Sequence, residues 1–289
     1  MYIKFGTVEA GGFDSPLLIE GFTPPSHDLR TNYVDAPNRD GQMVGKTYLG
    51  SATMGFDLVT NTSNLKEAYA LANQLEREWT SAKMRTNSNV PVALSYSMDG
   101  SSWYRVYGRP DKFTGFSPDV LANQGVGRLT VDFTVTRIEH FSNTESKTTI
   151  PFVAPITGGI TSPITAPITT GGSGGESARF VNNEGDLPSP LRVRFIGPIS
   201  NPVLRSGQGW EVSYRGTIPQ GDYVTIDPLL GTVRAKNGSS RAGNLGTKVR
   251  LSKVTLPPGQ SELFLIGADS TALSKVEVSW RSAYTGLQA

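Results

Sequence analysis

The residues that could do chemistry are few and poorly spaced for it. His27 and His140 are the chain's two histidines. The first lies in a Pro/Ser loop and the second just past an alternating apolar run, far apart in sequence. No Ser-His-Asp order can be singled out, and each histidine reads as a surface or partly buried structural residue. A glycosidase needs only two carboxylates flanking a cleft, and Asp222 and Asp227, bracketing a short run, are the nearest pair. Turn aspartates making local backbone hydrogen bonds are the simpler reading. Gly125-Val126-Gly127 lacks the strand-to-helix context of a dinucleotide site, and no GxxxxGKS or GxxxxGKT is present. Trp210, Tyr214, Tyr223 and Trp280 are the residue types of a sugar platform, yet three of the four sit at alternating strand positions, as core residues do. Arg109, Arg192, Arg194 and Arg250 read as solvated strand faces or interface contacts. The expectation is therefore no catalytic residue, no cofactor and no metal.

The elements that would have to position such residues are mostly short strands. The 289 residues suggest two domains, each large enough for a core. Gly (32) and Pro (19) are abundant and charge is low at 18%, which favours turn-rich β structure. Cysteine is absent, so neither disulfides nor thiolate metal sites hold the fold. Residues 1–175 carry a net charge of −2 and residues 176–289 one of +4, too little for a nucleic-acid footprint. No signal segment and no run of ~18 apolar residues is read, so a soluble protein without a membrane anchor is expected.

In the first half, residues 2–8 and 17–22 read as strands, and Asp35–Gly41 as a loop with an Asp-Gly turn. Ala52–Thr60 alternates Met54, Phe56 and Leu58 against polar neighbours. One helix follows: Asn61–Asn64 offer N-caps, and Leu65, Ala68, Ala72, Leu75, Trp79 and Ala82 recur at three and four. Val92–Met98 and Trp103–Tyr107 flank Asp99-Gly100 as a hairpin ended by Gly108-Arg109-Pro110. Gly127–Ile138 is the cleanest alternating strand. Together these give an α+β first domain over residues 1–148.

Thr148–Gly175 has no charged residue. Phe152, Ile156, Ile160, Ile164 and Ile168 recur every four residues, before Gly171–Gly175 closes the stretch as a flexible linker. In a strand all five share one face, and Pro151, Pro155, Pro163 and Pro167 lie along a single edge. Polyproline II would scatter them around its axis. Within the segment 149–175, residues 152–168 are therefore expected to be an ordered extended arm spanning roughly 55 Å at ~3.3 Å per residue, with a disordered repetitive spacer as the alternative, and the linker follows.

Residues 176–289 read as an antiparallel β-sandwich. Trp210, Val212 and Tyr214 alternate with Glu211, Ser213 and Arg215, and Pro219–Asp222 is turn chemistry. Tyr223–Ile226 returns, and Val276, Val278 and Trp280 share one face. Trp210, Tyr214 and Trp280 are assigned to this domain's core.

The order of these pieces resembles the C-terminal domain of siphophage distal tail proteins and the related minor tail proteins. The matching pieces are Asn183…Gly185-Asp186…Pro188…Pro190, Gly197–Pro202, Gly221–Asp227, Leu256–Gly259 and Val276…Trp280-Arg281…Tyr284. The loop Asn38-Arg39-Asp40-Gly41, the turn Gly45–Gly50 with Tyr48, the strand after it and Gly108–Pro110 resemble the family's N-terminal domain. The tetrad repeat is not part of that pattern.

The resemblance implies a structural virion protein, a homohexameric distal tail ring at the tail tip or baseplate of a long-tailed phage, made in the host cytoplasm. It implies a mainly β fold: a ring-forming β-sandwich or barrel with one helix, then an outward galectin-like sandwich. Asn38, Arg39, Asp40, Gly41 and Tyr48 would lie at the ring interface. The implied partners are the tail tube protein, the tail-associated hub or lysin protein and the tape measure protein. Two other classes stand beside it. A carbohydrate-binding protein would attach to cell-wall sugars through exposed, coplanar Trp210 and Trp280. A hydrolase would show two carboxylates facing each other in a deep cleft.

Overall fold

The computed structural model describes residues 1–62, 64–86, 91–115, 127–153, 177–269 and 273–288. The chain forms two compact units, Met1–Thr144 with Tyr284–Ala289, and Glu145–Ala283.

The first unit begins with β1 (Tyr2–Phe5), β2 (Val8–Ala10) and β3 (Leu17–Thr23). The single strand expected over residues 2–8 is a hairpin instead. Gly6 adopts φ +58, a conformation glycine takes without strain, and Val8 folds back opposite Phe5. Four short strands follow: β4 (Leu29–Arg30), β5 (Tyr33–Asp35), β6 (Gln42–Val44) and β7 (Tyr48–Leu49). Then come β8 (Ala52–Thr60), α1 (Leu65–Trp79), α2 (Ala82–Thr86), β9 (Val92–Ser97), β10 (Tyr104–Thr114), β11 (Arg128–Val135) and β12 (Glu139–Ser142).

The main sheet runs β2-β1-β9-β10-β11-β8-β3. Its ends meet, because Gly11 N–H donates to Leu17 O (2.9 Å) and Ile19 N–H to Gly11 O (3.3 Å). The alternation in β8 and β11 places Met54, Phe56, Leu58, Leu129, Val131 and Phe133 inward, and the two strands pair from Ala52↔Val135 to Val59↔Arg128. β10 does not stop at Gly108-Arg109-Pro110. It continues to Thr114, with a register shift between Pro110 and Phe113 that absorbs the proline.

Asn64 caps α1 by accepting from Lys66 N–H, and Ala68, Ala72, Leu75 and Trp79 form its buried stripe. Trp79 packs on Phe5 (centroids 4.6 Å) and Phe133 (6.1 Å), and its Nε1 donates to Lys112 O. Two expected members of the stripe lie elsewhere. Leu65 is exposed at the helix start, where a side chain leans back toward the N-terminus, away from the turns that are buried. Ala82 is beyond the helix, which ends at Thr80.

The second unit contains β13 (Ser146–Pro151), β14 (Ala178–Asn183), β15 (Ser189–Pro190), β16 (Arg192–Ile196), β17 (Ile199–Ser206), β18 (Glu211–Ser213), β19 (Thr217–Ile218), β20 (Tyr223–Asp227), β21 (Thr232–Ala235), β22 (Thr255–Leu256), β23 (Gly259–Ala268) and β24 (Lys275–Trp280). One antiparallel sheet runs β13-β24-β16-β20-β21 and the other β14-β23-β17-β18, with β19 beside β17. Their inner faces enclose one apolar core with Val193, Phe195, Leu204, Val212, Ile226, Leu263, Val276 and Val278. The mainly β fold, with a helix in the first unit and an antiparallel sandwich in the second, is the class expected from the sequence.

The boundaries differ from those expected. The second unit starts at Glu145 rather than 149, because Ser146–Pro151 pairs with β24 through six residues. From Tyr284 the chain belongs to the first unit again: β25 (Ala283–Thr285) pairs with β12, and the Tyr284 ring meets Tyr104 edge-on at 5.6 Å.

Candidate functional site

The segment Asp28–Gly50 is built as a ribbon. Gly50 N–H donates to Asp28 O (2.8 Å), and His27 Nδ1 lies 2.8 Å from Gly50 O, fastening the base. Leu29 pairs with Leu49 and Arg30 with Tyr48. Gly45 N–H donates to Asn32 O (2.7 Å) at an irregular step, after which Tyr33, Val34 and Asp35 pair with Val44, Met43 and Gln42. At the tip Ala36 N–H donates to Gly41 O, with Asn38 at φ 66 and Gly41 at φ 100. Asparagine and glycine tolerate these positive φ values, so the Asn-Arg-Asp-Gly sequence closes the hairpin.

Every residue from Asp28 to Leu49 is exposed except the half-buried Ala36. Among the described residues, 14 large apolar side chains are exposed, and seven lie here: Leu29, Tyr33, Val34, Met43, Val44, Tyr48 and Leu49. Val44 is 71% exposed and Leu29 65%. Asp28, Asp35 and Asp40 balance Arg30, Arg39 and Lys46 in formal charge. A two-stranded ribbon is marginal in water by itself, and this one keeps its apolar side chains in solvent, the kind of surface that interaction sites present.

The structure thus places Asn38, Arg39, Asp40 and Gly41 at the ribbon tip and Tyr48 on its returning strand. Sequence reasoning missed the rest of the apolar surface. The signal was legible: Tyr33-Val34 and Met43-Val44 flank an Asp-Gly turn, the pattern of a hairpin.

The remaining candidates are placed apart from this ribbon. Phe152 is not on an arm: it is buried in the core of the second unit, its N–H donating to Ser274 O (2.9 Å). β13 delivers it there. Ile156, Ile160, Ile164 and Ile168, and with them the extended arm and the Gly-rich linker, lie outside the described residues, as do Gly125 and Val126. Tyr214 and Trp280 are buried in the core of the second unit, and Trp210 is half-buried against it. Trp210 Nε1 donates to Thr255 O (2.9 Å) and Trp280 Nε1 to Asn182 O (3.0 Å). An exposed, coplanar tryptophan pair is not formed.

Asp222 and Asp227 do not face each other. Asp222 accepts from Tyr223 N–H, and the buried Asp227 accepts from Leu230 N–H and Arg192 Nε. His140, expected at the surface or partly buried, is 1% exposed inside the first unit. Its Nδ1 lies 2.8 Å from the Tyr96 hydroxyl. Burial, with a smaller contribution from His27, pushes its pKa down to about 4. Burial likewise pushes the Tyr96 phenol up to about 12. Among the described residues no three His, Cys, Asp or Glu side chains are grouped to hold a metal, and no helix is long and apolar enough to cross a membrane.

No family model matches the chain, and no curated protein does. Solved structures do. The Dit protein of phage SPP1, described as a paradigm of hub adsorption apparatus in Gram-positive infecting phages, superposes with a TM-score of 0.59 at 10% identity, covering 98% of this chain and 99% of its own. A chain of the phage P2 baseplate in its activated conformation gives 0.54 at 14% identity, covering 96% and 97%. A second structure of that baseplate gives 0.53 over 92% of this chain. Along nearly its whole length, through both units, this chain has the fold of the SPP1 Dit hub protein.

Proposed function

We propose that the protein is a structural component of the tail tip of a long-tailed phage, a Dit-like distal tail protein that forms a closed ring of six subunits in the virion. The observation that carries this reading is the end-to-end fold correspondence with the SPP1 Dit protein, 98% of one chain against 99% of the other. The ribbon Asp28–Gly50 supports it, since its seven exposed apolar side chains need a second chain to cover them. A heterologous contact repeated around an axis closes as a ring. The first unit is assigned to the ring and the second to its outer side. The tail tube protein lies above, the tail-associated hub or lysin protein below, and the tape measure protein inside.

The test is the mass in solution and an electron micrograph of the full chain, alone and reconstituted with its tail tube protein. A closed ring in either form, lost when Val34 and Val44 are both changed to Asp, is the expected result. A protein that stays monomeric in both forms overturns the proposal.

A further inference from the structure

The outward face of the sheet β13-β24-β16-β20-β21 carries a second candidate site. Strand alternation turns Val193, Phe195, Val276 and Val278 into the core, and so turns Arg192, Arg194, Glu277 and Ser279 outward. Register sets them in rows: Lys147, Ser279 and Arg192 lie abreast, as do Thr149, Glu277, Arg194 and Thr225. An open cleft of about 270 Å³ lies on these two rows.

Its charged groups are paired and held. Arg192 donates from Nε to Asp227 (3.2 Å) and pairs through Nη1 with Glu145 (3.3 Å). Lys147 Nζ lies 3.1 Å from the same Glu145. Arg194 donates from Nε to Thr225 Oγ1 (3.3 Å) and from Nη1 to Glu277 (3.5 Å), with its guanidinium 4.7 Å over the Tyr223 ring. Burial pushes Glu145 up, but the Lys147 hydrogen bond and the charges of Arg192, Lys147 and Arg281 outweigh it and hold the carboxyl below its ordinary range. Glu145 is therefore ionised at neutral pH.

Each of the three cations lining the cleft is already paired, Lys147 and Arg192 with Glu145, Arg192 with Asp227 and Arg194 with Glu277, which lowers the field the cleft offers a polyanion. What it offers instead is an alternation of fixed donors and acceptors. A guanidinium has five N–H donors, and the bonds above engage two on each arginine. Glu277, Thr149 and Ser279 add acceptors and hydroxyls. A ligand whose every polar group both donates and accepts, with no charge of its own, matches that array. Holding the side chains beforehand lowers the entropic cost of binding it. The volume sits just below the usual range of small-molecule sites, roughly 300–1,000 Å³, which suits one ring rather than a chain of them.

We infer that this cleft binds a neutral sugar unit through Arg192, Arg194 and Glu277. The inference does not depend on ring assembly, and the tryptophans take no part in it.

Saturation-transfer NMR on the full chain tests it, with glucose, galactose and N-acetylglucosamine as neutral probes and glycerol 3-phosphate as the anionic one. At least one neutral sugar is expected to bind with a millimolar Kd. Glu277→Gln and Arg194→Lys, which keep the side-chain length but lose an ionised acceptor or the planar fork, should weaken it at least tenfold. Arg205→Lys, on the other sheet, should leave it unchanged, and circular dichroism reports whether each variant is folded. Absence of signal from all three sugars overturns the inference. So does binding of glycerol 3-phosphate alone, or neutral-sugar binding that survives both cleft variants. Because a monomer suffices for the measurement, failure of the ring leaves this result readable.

Discussion

His140 and Asn183 show how single buried polar residues carry weight here. The Tyr96 hydroxyl accepts from Gln288 N–H (3.3 Å) and lies within hydrogen-bond distance of His140 Nδ1 (2.8 Å), so the neutral imidazole has a partner inside the first unit. A histidine whose folded pKa is depressed stays neutral in the native state, while the unfolded chain takes up the proton first. Its contribution is intact above pH 6.5 and is lost as pH falls from there toward about 4. That interval corresponds to about 3 kcal/mol. Denaturant titrations of the first unit between pH 7 and pH 4 should show this loss, and His140→Gln should flatten it. Asn183 is 1% exposed and spends its whole side chain on backbone: Nδ2 donates to Leu187 O (2.8 Å) and Leu256 O (3.0 Å), and Oδ1 accepts from Gly185 and Ala283 N–H. Asn183→Ala orphans these groups and should destabilise the second unit by about 1–3 kcal/mol or more. Gly185 is fixed beside it, since a Cβ there would sit 1.8 Å from Ala283 O. Gly185→Ala should therefore move the midpoint in the same direction.

Among the elements, the ribbon and α1 contrast in what sustains them. The helix buries Ala68, Ala72, Leu75 and Trp79 within its own unit, and Trp79 joins Phe5 and Phe133 in one aromatic cluster. Trp79→Ala should cost about 3–5 kcal/mol in equilibrium unfolding, assembled or not. The ribbon buries almost nothing in the isolated chain. Changing both Val34 and Val44 to Asp should leave the isolated midpoint within about 0.5 kcal/mol of the parent while abolishing self-association in analytical ultracentrifugation. A ribbon that mattered only to its own unit would give the opposite pair of results.

For the whole molecule, the last residues stabilise the unit built from the first ones. Tyr284 packs on Tyr104, Leu287 packs against the first core, and Gln288 reaches Tyr96. Ending the chain at Ala283 should lower the stability of the first unit by about 2 kcal/mol or more. The transition of the second unit should move less. Calorimetry on the truncated and full chains separates the two, since each unit has its own core.

The alternation of Met54, Phe56 and Leu58, of Leu129, Val131 and Phe133, and of Val276, Val278 and Trp280 sufficed to assign strands and inward faces. A side-chain period of two leaves one choice once a face must be buried. Asn64 and the 68, 72, 75, 79 spacing likewise determined a helix. Periodicity does not encode which strands pair, and there the tertiary structure decided. Ser146–Pro151 carries Lys147, Thr148 and Thr149 and has weak alternation, yet β24 recruits it through six paired residues, taking Phe152 into the core. The turn glycine Gly6 looked like part of a strand because its positive φ is invisible in composition. The ribbon was legible as a turn, but its exposure was not, because Tyr33, Val34, Met43 and Val44 read like core residues until no core is found near them. The polar lattice around Arg192 and Arg194 brings Glu145, Asp227 and Glu277 together across up to 132 positions of chain. Only the register of β13, β24, β16 and β20 makes them neighbours, since strand pairing and not sequence distance sets which side chains stand side by side.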